Sequence, residues 1–318
     1  MYTRGLVVGK FYPPHRGHKY LIDTAIAECK EVTVIVCAKM HETISGELRA
    51  SWIERIHPSV HVILIKEPMP GDNESEEWAK FTIKLLGYVP DAVFTSEEYG
   101  DPYARFMKTI HVCVDKARVR VPISGTKVRA NPSIAAEFLE PCVRAYFAKR
   151  IVVLGAESTG TTTLAKTLAE HYKTVWVPEY GRLYSEGRLQ SGEKWKSEEF
   201  VTIARAQAEL EDALAEQSNG IVICDTDPFA TGIWHERYMG SRSLNVERVS
   251  TYRKYDLYIV TSDEIPFEQD GTRDGEHIRH DMHKLFIKRL EETGRKYVLV
   301  TGTREERLAQ AVAAISAL

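Results

Sequence analysis

Cysteine is scarce in this chain and carries no pattern: Cys29, Cys37, Cys113, Cys142 and Cys224 are an odd number, widely spaced, with no Cys-x-x-Cys pair. That excludes a disulfide framework and a thiolate zinc site, and it is the usage expected of a reduced, cytosolic protein. Long apolar runs are also missing. None approaches the ~20 residues a membrane span needs, and the first residues read as a folded strand rather than a signal peptide. Charge of neither sign dominates: the formal net charge is −3, so no basic field draws the chain toward nucleic acid. Short-period repeats and low-complexity tracts are absent as well. What the chain does have is 43% apolar residues over 318 positions, enough for two packed domains of roughly 150 residues.

Short β-branched runs alternate with helical periodicity in both halves. Residues 5–8, 32–38, 60–65, 92–95 and 111–114 read as buried strands, with helices over 19–28, 46–57 and 76–86 between them. A helix over 135–147 closes this half. The pattern restarts with strands at 150–154, 175–177, 221–224, 257–260 and 297–300, and helices at 162–172, 198–217 and 304–318. Such alternation predicts an α/β chain of two doubly wound parallel sheets, divided into residues 1–148 and 149–318. The polar, Pro/Gly-punctuated stretches 68–77 and 263–281 read as mobile loops over the sites.

The first phosphate-binding sequence is Gly9-Lys10-Phe11-Tyr12-Pro13-Pro14-His15-Arg16-Gly17-His18, at the exit of the first strand. Ligands of a doubly wound sheet sit at strand carboxyl ends near helix N-termini. Two imidazoles there donate to phosphate oxygens and strengthen as charge builds on a five-coordinate phosphorus, with Lys10 adding a fixed cation. Gly9, Phe11 and Gly17 shape the loop, and Gly17 is expected to let the backbone approach the nucleotide. Ile123-Ser124-Gly125-Thr126-Lys127-Val128-Arg129 follows an apolar run and starts a short helix, so Ser124, Thr126 and Arg129 are expected to hold the outgoing pyrophosphate. His15, His18, Lys10 and Arg129 are the catalytic candidates here.

The second is Gly155-Ala156-Glu157-Ser158-Thr159-Gly160-Thr161-Thr162-Thr163, which fits a Walker A loop except that Thr161 stands where lysine is expected. Backbone N–H groups from Glu157 to Thr162 form an anion nest, and Thr162 and Asp225 are the candidate ligands of Mg²⁺. Glu179, after the 175–177 strand, is a candidate to orient or deprotonate a substrate hydroxyl. Asp227, Arg182 and Arg273 are candidate substrate contacts. The cation that normally neutralises the transferred phosphoryl group is gone, and an arginine of the expected lid, Arg273 or Arg279, is a candidate replacement.

The pairing of GxFxPxHxGH with ISxTxxR resembles the nucleotidylyltransferase superfamily, which works by direct in-line attack without a covalent enzyme intermediate. Both halves in this order, with Thr95-Ser96-Glu97-Glu98-Tyr99-Gly100, Pro178 to Arg182, Asp225 to Asp227 and Gln269 to Gly275, resemble the NadR-type bifunctional family along essentially the whole chain. The resemblance implies a kinase half that phosphorylates nicotinamide riboside with ATP. It implies an N-terminal half that joins AMP from ATP to nicotinamide mononucleotide, giving NAD and pyrophosphate. By the same resemblance Lys10, His15, His18, Thr126 and Arg129 hold ATP phosphates, and Trp52 either stacks on the nicotinamide ring or is a buried helix residue. Some family members begin with a DNA-binding helix-turn-helix; here the catalytic strand starts at residue 5, and repressor activity is not expected. Two alternatives stay open: adenylyl transfer to another acceptor, and a second half that senses nucleotide without transferring phosphate. Oligomeric state is also open, with a homo-oligomer one option.

Overall fold

Continuous β-branched runs such as residues 32–37 cannot leave either face to water, so their strands need helices on both sides of the sheet. The computed structural model describes residues 1–71, 74–133, 136–188, 193–268 and 275–318. The chain divides into two compact units, Met1–Arg144 and Ala145–Leu318. Arg273 and most of the 269–275 stretch lie outside the described residues. No helix among the described residues is long and apolar enough to cross a membrane.

The first unit has a parallel sheet in the order β3-β2-β1-β4-β5, made of β1 (Tyr2–Gly9), β2 (Cys29–Ala38), β3 (His61–Lys66), β4 (Ala92–Thr95) and β5 (Ile110–Cys113). Its helices are α1 (Arg16–Glu28), α2 (Gly46–Ile56), α3 (Ser75–Leu86), α4 (Gly100–Met107) and α5 (Gly125–Ala130). Leu6, Val7, Val34, Val36, Val93 and Phe94 are fully buried at its centre. Strand β1 leads to β2 on one side while β4 pairs on the other, so the chain reverses direction across the sheet at the exit of β1. A crevice opens at such a switch point.

α6 (Pro141–Phe147) precedes the second sheet. The expected single helix over 135–147 is broken: Ala136–Phe138 forms a 3₁₀ turn and α6 starts afresh at Pro141, which has no N–H to continue a helix. The second sheet, also parallel, runs β10-β9-β6-β8-β7. It comprises β6 (Lys149–Leu154), β7 (Val175–Val177), β8 (Ile221–Asp225), β9 (Leu257–Thr261) and β10 (Tyr297–Val300). The helices are α7 (Thr161–Tyr172), α8 (Tyr180–Arg188), α9 (Ser197–Ala215), α10 (Pro228–Met239), α11 (Leu244–Thr251), α12 (Arg279–Glu292) and α13 (Arg304–Ser316). Here β6 lies between β8 and β9, and its exit is again the switch point.

The expected loops are partly helical. Residues 75–77 already belong to α3, and α12 begins at Arg279, inside the stretch read as a loop to 281. Helices α4, α8, α10, α11 and α12 have no counterpart in the sequence reading. In α10, Phe229, Ala230, Thr231, Ile233 and His235 are all buried, so the helix has no polar face to alternate against and no stripe to recognise.

One buried charge organises the first unit. Arg49 has no exposed surface; it donates to the carbonyls of Lys10 (2.7 Å), Cys37 (3.3 Å) and Ser45 (3.2 Å) and to Glu42 Oε2 (2.8 Å). It thereby ties α2 and β2 to the loop after β1. Arg49→Leu leaves these acceptors unpaired in the interior, and we expect a loss of ~3–5 kcal/mol in denaturant unfolding. A loss below ~1 kcal/mol would mean that water takes over the guanidinium's role.

Candidate active sites

In the first unit the exit of β1 opens into a cavity of about 760 Å³. Gly9, Lys10, Phe11, His15, Gly17 and His18 line it from the β1–α1 loop, and Ser124, Thr126 and Arg129 line it from α5 and its cap. Sequence-distant motifs thus meet in one space. The His15 side chain caps α1: its Nδ1 accepts from the N–H of Gly17 (3.1 Å) and of His18 (3.4 Å), which leaves the ring proton on Nε2. The His15 and His18 rings stack with centroids 3.8 Å apart, and Phe11 meets His18 edge-on at 5.0 Å. A Cβ at Gly17 would lie 3.0 Å from the His15 ring, so this glycine makes room for the imidazole while it lines the cavity.

Burial, helped by the Arg118 charge, lowers the His15 pKa to about 4; the same burial, with His15 and Arg118 nearby, holds His18 well below the usual histidine range. Both rings are neutral donors near pH 7. The short helix α5 is capped by Ser124 Oγ, which accepts from the N–H of Lys127 (3.3 Å), and docks tightly on the loop. A Cβ at Gly125 would come 2.5 Å from the Tyr12 carbonyl oxygen. Arg129 donates to that same carbonyl (2.5 Å), and its guanidinium lies 4.4 Å from the Tyr12 ring centroid, with Arg49 at 5.2 Å from the same centroid.

Trp52 does not reach this cavity. It is 3% exposed on α2 and absent from the lining, which corrects the stacking expectation: the helix turns it into the interior. The indole that does line the cavity is Trp78 of α3, which donates Nε1–H to the Gly71 carbonyl (2.9 Å). Arg118, not singled out from sequence, also lines it, paired at 2.8 Å with Glu97 of the Thr95 to Gly100 stretch. The basic run Lys116-Ala117-Arg118-Val119-Arg120 just before Ile123 was the available signal.

The second unit holds a cavity of about 370 Å³ at the exit of β6, lined by Gly155, Glu157, Ser158, Gly160, Thr161, Thr162 and Thr163 of the P-loop. Gly160 (φ 83°) and Ser158 (φ 58°) turn the loop into α7. Thr159 is 1% exposed and outside the lining: its Oγ1 donates to the Ala156 carbonyl (2.7 Å) and meets Thr261 Oγ1 (2.6 Å), so its side chain braces the loop from beneath. Arg307 donates to the Thr159 carbonyl (2.8 Å), Arg237 to Glu157 Oε1 (2.9 Å), and the Gly275 N–H to Glu157 Oε2 (2.7 Å). None of these braces was read from sequence.

Glu179, Arg182 and Asp225 line the same cavity. Burial raises the Glu179 pKa and the Asp225 charge adds to it; Asp225 is raised by burial too, against hydrogen bonds from Thr162 and Thr161 and the Arg182 charge. Asp225 Oδ1 is buried with no hydrogen-bond partner. Between Asp225 and Asp227, Thr226 takes a left-handed backbone (φ 72°), unusual for a β-branched residue. Asp227 itself is a correction: it is fully buried, caps α10 through the Ala230 N–H (2.9 Å), accepts from the Tyr258 hydroxyl (2.8 Å), and does not face the cavity. The opposite wall is aromatic, with Trp195, Phe200, Trp234, Tyr238 and Phe286. The i, i+4 pair Trp234/Tyr238 was its legible trace.

With this geometry in hand, likenesses to known proteins can be set beside it. A family model described as an AAA domain matches residues 150–307. Two curated relatives, the trifunctional NAD biosynthesis/regulator proteins NadR of Escherichia coli and Salmonella typhimurium, are each 28% identical. The matches cover 94% and 93% of this chain and 78% of either relative. A solved NadR structure in complex with NR has a TM-score of 0.82 at 21% identity, and one with NAD and AMP-PNP has 0.78 at 22%. Each covers 100% of this chain and 97% of its own. The fold of these structures, two parallel-sheet α/β units, is the fold of this chain. The chain is similar to these NadR proteins in sequence and in fold along nearly its whole length.

A free histidine takes a proton near pH 6.5, whereas folded His15 resists until about pH 4. Between those values the unfolded chain binds more protons, so the first unit loses stability as pH falls through this window. His15→Gln, neutral throughout, should flatten that part of the thermal-unfolding profile. An unchanged acid limb in the variant would show that His15 is not its source.

Proposed function

We propose that the chain carries out two consecutive steps of NAD biosynthesis on one metabolite. The second unit phosphorylates nicotinamide riboside with ATP, and the first unit joins AMP from ATP to the resulting mononucleotide. The observation that carries the adenylyl transfer is the stacked pair of neutral imidazoles sharing a cavity with Ser124, Thr126 and Arg129. An acceptor phosphate oxygen attacks the α-phosphorus of ATP, the bond to the α,β-bridging oxygen breaks, and pyrophosphate leaves with the electron pair. Lys10 and Arg129 neutralise the leaving group, and the Thr126 hydroxyl donates to it. His15 and His18 donate to the oxygens whose charge grows at the five-coordinate stage. Trp78, in the lining, is the candidate to cover the nicotinamide ring.

The phosphorylation is supported by two carboxylates that face the P-loop next to an aromatic wall. The wall stacks the flat base of a riboside, and Glu179 or Asp225 takes the proton from its hydroxyl. That oxygen bonds to the γ-phosphorus as the bond to the β,γ-bridging oxygen breaks, releasing ADP. A divalent cation fits this site on its donor set: the partnerless buried oxygen of Asp225 and the Thr162 hydroxyl would hold it, with phosphate and water completing its shell. When bound it supplies charge neutralisation on the nucleotide phosphates. A nucleotide sensor is the second reading of this unit, favoured by Thr161 in the lysine position.

Incubation of the whole chain with ATP and Mg²⁺ should release pyrophosphate with nicotinamide mononucleotide and make the mononucleotide from nicotinamide riboside. Binding of the riboside without turnover would favour the sensor. His18→Ala should slow adenylyl transfer by more than about tenfold, since one such donor contributes ~2–4 kcal/mol to a transition state. A near-normal rate would remove His18 from the mechanism.

Glu179→Gln separates chemistry from stability. The folded state keeps a proton on this carboxyl that the unfolded chain releases above about pH 4.5, so the residue costs stability as pH rises through its folded value. The variant should lose phosphoryl transfer by about a hundredfold or more and melt ~2–4 °C higher at pH 8. A lower melting temperature would contradict the buried-carboxylate account.

A further inference from the structure

The pattern GxFxPxHxGH leaves Tyr12 open, yet the structure puts this side chain among the cations of the first cavity. Tyr12 lines that cavity with Lys10, Arg118 and Arg129. Two guanidinium groups lie over its ring, Arg129 at 4.4 Å from the centroid and Arg49 at 5.2 Å. The face of an aromatic ring is its negative side, so it attracts a cation that lies on it. The backbone of the same residue adds a second hold. Its carbonyl accepts from Arg129 Nη1 at 2.5 Å, while Arg129 Nη2 donates to Thr126 Oγ1 at 3.3 Å.

Arg129 needs such a hold. It is an exposed residue near the end of the six-residue helix α5. A surface arginine spreads over many rotamers and gives up that freedom when it grips a phosphate, unless it is fixed beforehand. The ring that seats it is itself fixed at its far end. The Tyr12 hydroxyl accepts from the Thr43 N–H at 2.9 Å and meets Thr43 Oγ1 at 2.8 Å. Thr43 stands between Glu42 and Ser45, both of which hold the fully buried Arg49. Rigidity thus passes from a buried ion pair, through Thr43 and the Tyr12 ring, to an exposed guanidinium.

We propose that Tyr12 is a positioning residue for adenylyl transfer: its ring seats the Arg129 guanidinium where the outgoing pyrophosphate forms. This rests on the adenylyl-transfer reading of the first unit. The bonds made and broken are unchanged: the acceptor phosphate oxygen bonds to the α-phosphorus, and the bridging oxygen leaves with the electron pair on pyrophosphate. Tyr12 takes no part in them. It keeps Arg129 in one place, so that the cation meets the growing charge without first giving up its own motion.

The test is a double-mutant cycle on the full chain with Mg²⁺, ATP and nicotinamide mononucleotide, read as pyrophosphate release. Arg129→Ala should lower kcat by about a hundredfold, and Tyr12→Leu by about tenfold with KM for the mononucleotide nearly unchanged. Tyr12→Phe, which keeps the ring, should stay within about threefold of wild type. In the Arg129→Ala background Tyr12→Leu should cost less than about twofold, because the group it positions is gone. A further loss of about tenfold in that background overturns the proposal and makes Tyr12 a substrate contact in its own right. So does a Tyr12→Leu rate within about twofold of wild type. So does a loss in Tyr12→Phe as large as that in Tyr12→Leu, which would assign the effect to the Thr43 hydrogen bond. Thermal unfolding of each variant tracks folding, and Tyr12→Gln takes the place of the leucine variant if that one does not fold. A wild type that releases no pyrophosphate sinks the adenylyl-transfer reading instead. Tyr12 is then judged by calorimetry with inorganic pyrophosphate. Binding weakened about tenfold by Tyr12→Leu, and no further when it is added to Arg129→Ala, keeps the assignment; unaltered binding in Tyr12→Leu overturns it.

Discussion

A parallel sheet sends the N-terminus of every following helix to the same edge, and with it the unpaired N–H groups of each first turn. Both sites follow from that constraint. At the exits of β1 and β6 the chain reverses across the sheet, so two helices diverge and leave a crevice between them. In the first unit a histidine ring takes up the first-turn N–H groups, bringing the two imidazoles to the mouth of the crevice. In the second the loop stays open, braced from beneath by Thr159 and Arg307. Without Arg49 under the first loop or Arg307 under the second, neither crevice would keep its shape.

The units handle phosphate charge in opposite ways. The first gathers Lys10, Arg118 and Arg129 around two neutral rings, with Glu97 paired to Arg118 in the same cavity. Burial holds those rings uncharged, and their donor strength matters most when negative charge rises at phosphorus. The second gathers carboxylates, Glu179 and Asp225, beside the nest. Burial raises the cost of ionising both, and the Asp225 charge raises it further for Glu179. A hydroxyl nucleophile needs a base; a phosphate nucleophile, already ionised, does not.

Much of this was legible in the sequence. Strands over 92–95, 175–177 and 297–300 lie where the short apolar runs placed them, the first of them buried at every residue. Phosphate loops were legible because backbone that must approach a ligand closely admits few side chains. What stayed hidden depends on tertiary context. Helix α10 is buried nearly all round and has no amphipathic stripe, although Asp227-Pro228 announced its cap. Trp52 and Trp78 each sit on an ordinary amphipathic helix, and only the packing decides which indole faces a cavity. Asp227 was read as a substrate contact because a carboxylate after a strand looks alike whether it caps a helix or meets a ligand.

Thr226 carries a consequence of its own. A β-branched residue held in the left-handed region costs on the order of 1–3 kcal/mol, which its surroundings must sustain. Asp227 anchors one side of it as the α10 cap, and its own N–H is fixed to the Val153 carbonyl at 2.9 Å. The peptide carrying Asp225 is therefore wound against its preference, which keeps that carboxylate from swinging away. Evolutionary drift at position 226 should favour glycine or asparagine for backbone ease, yet each such replacement would slacken the aim of the neighbouring acid.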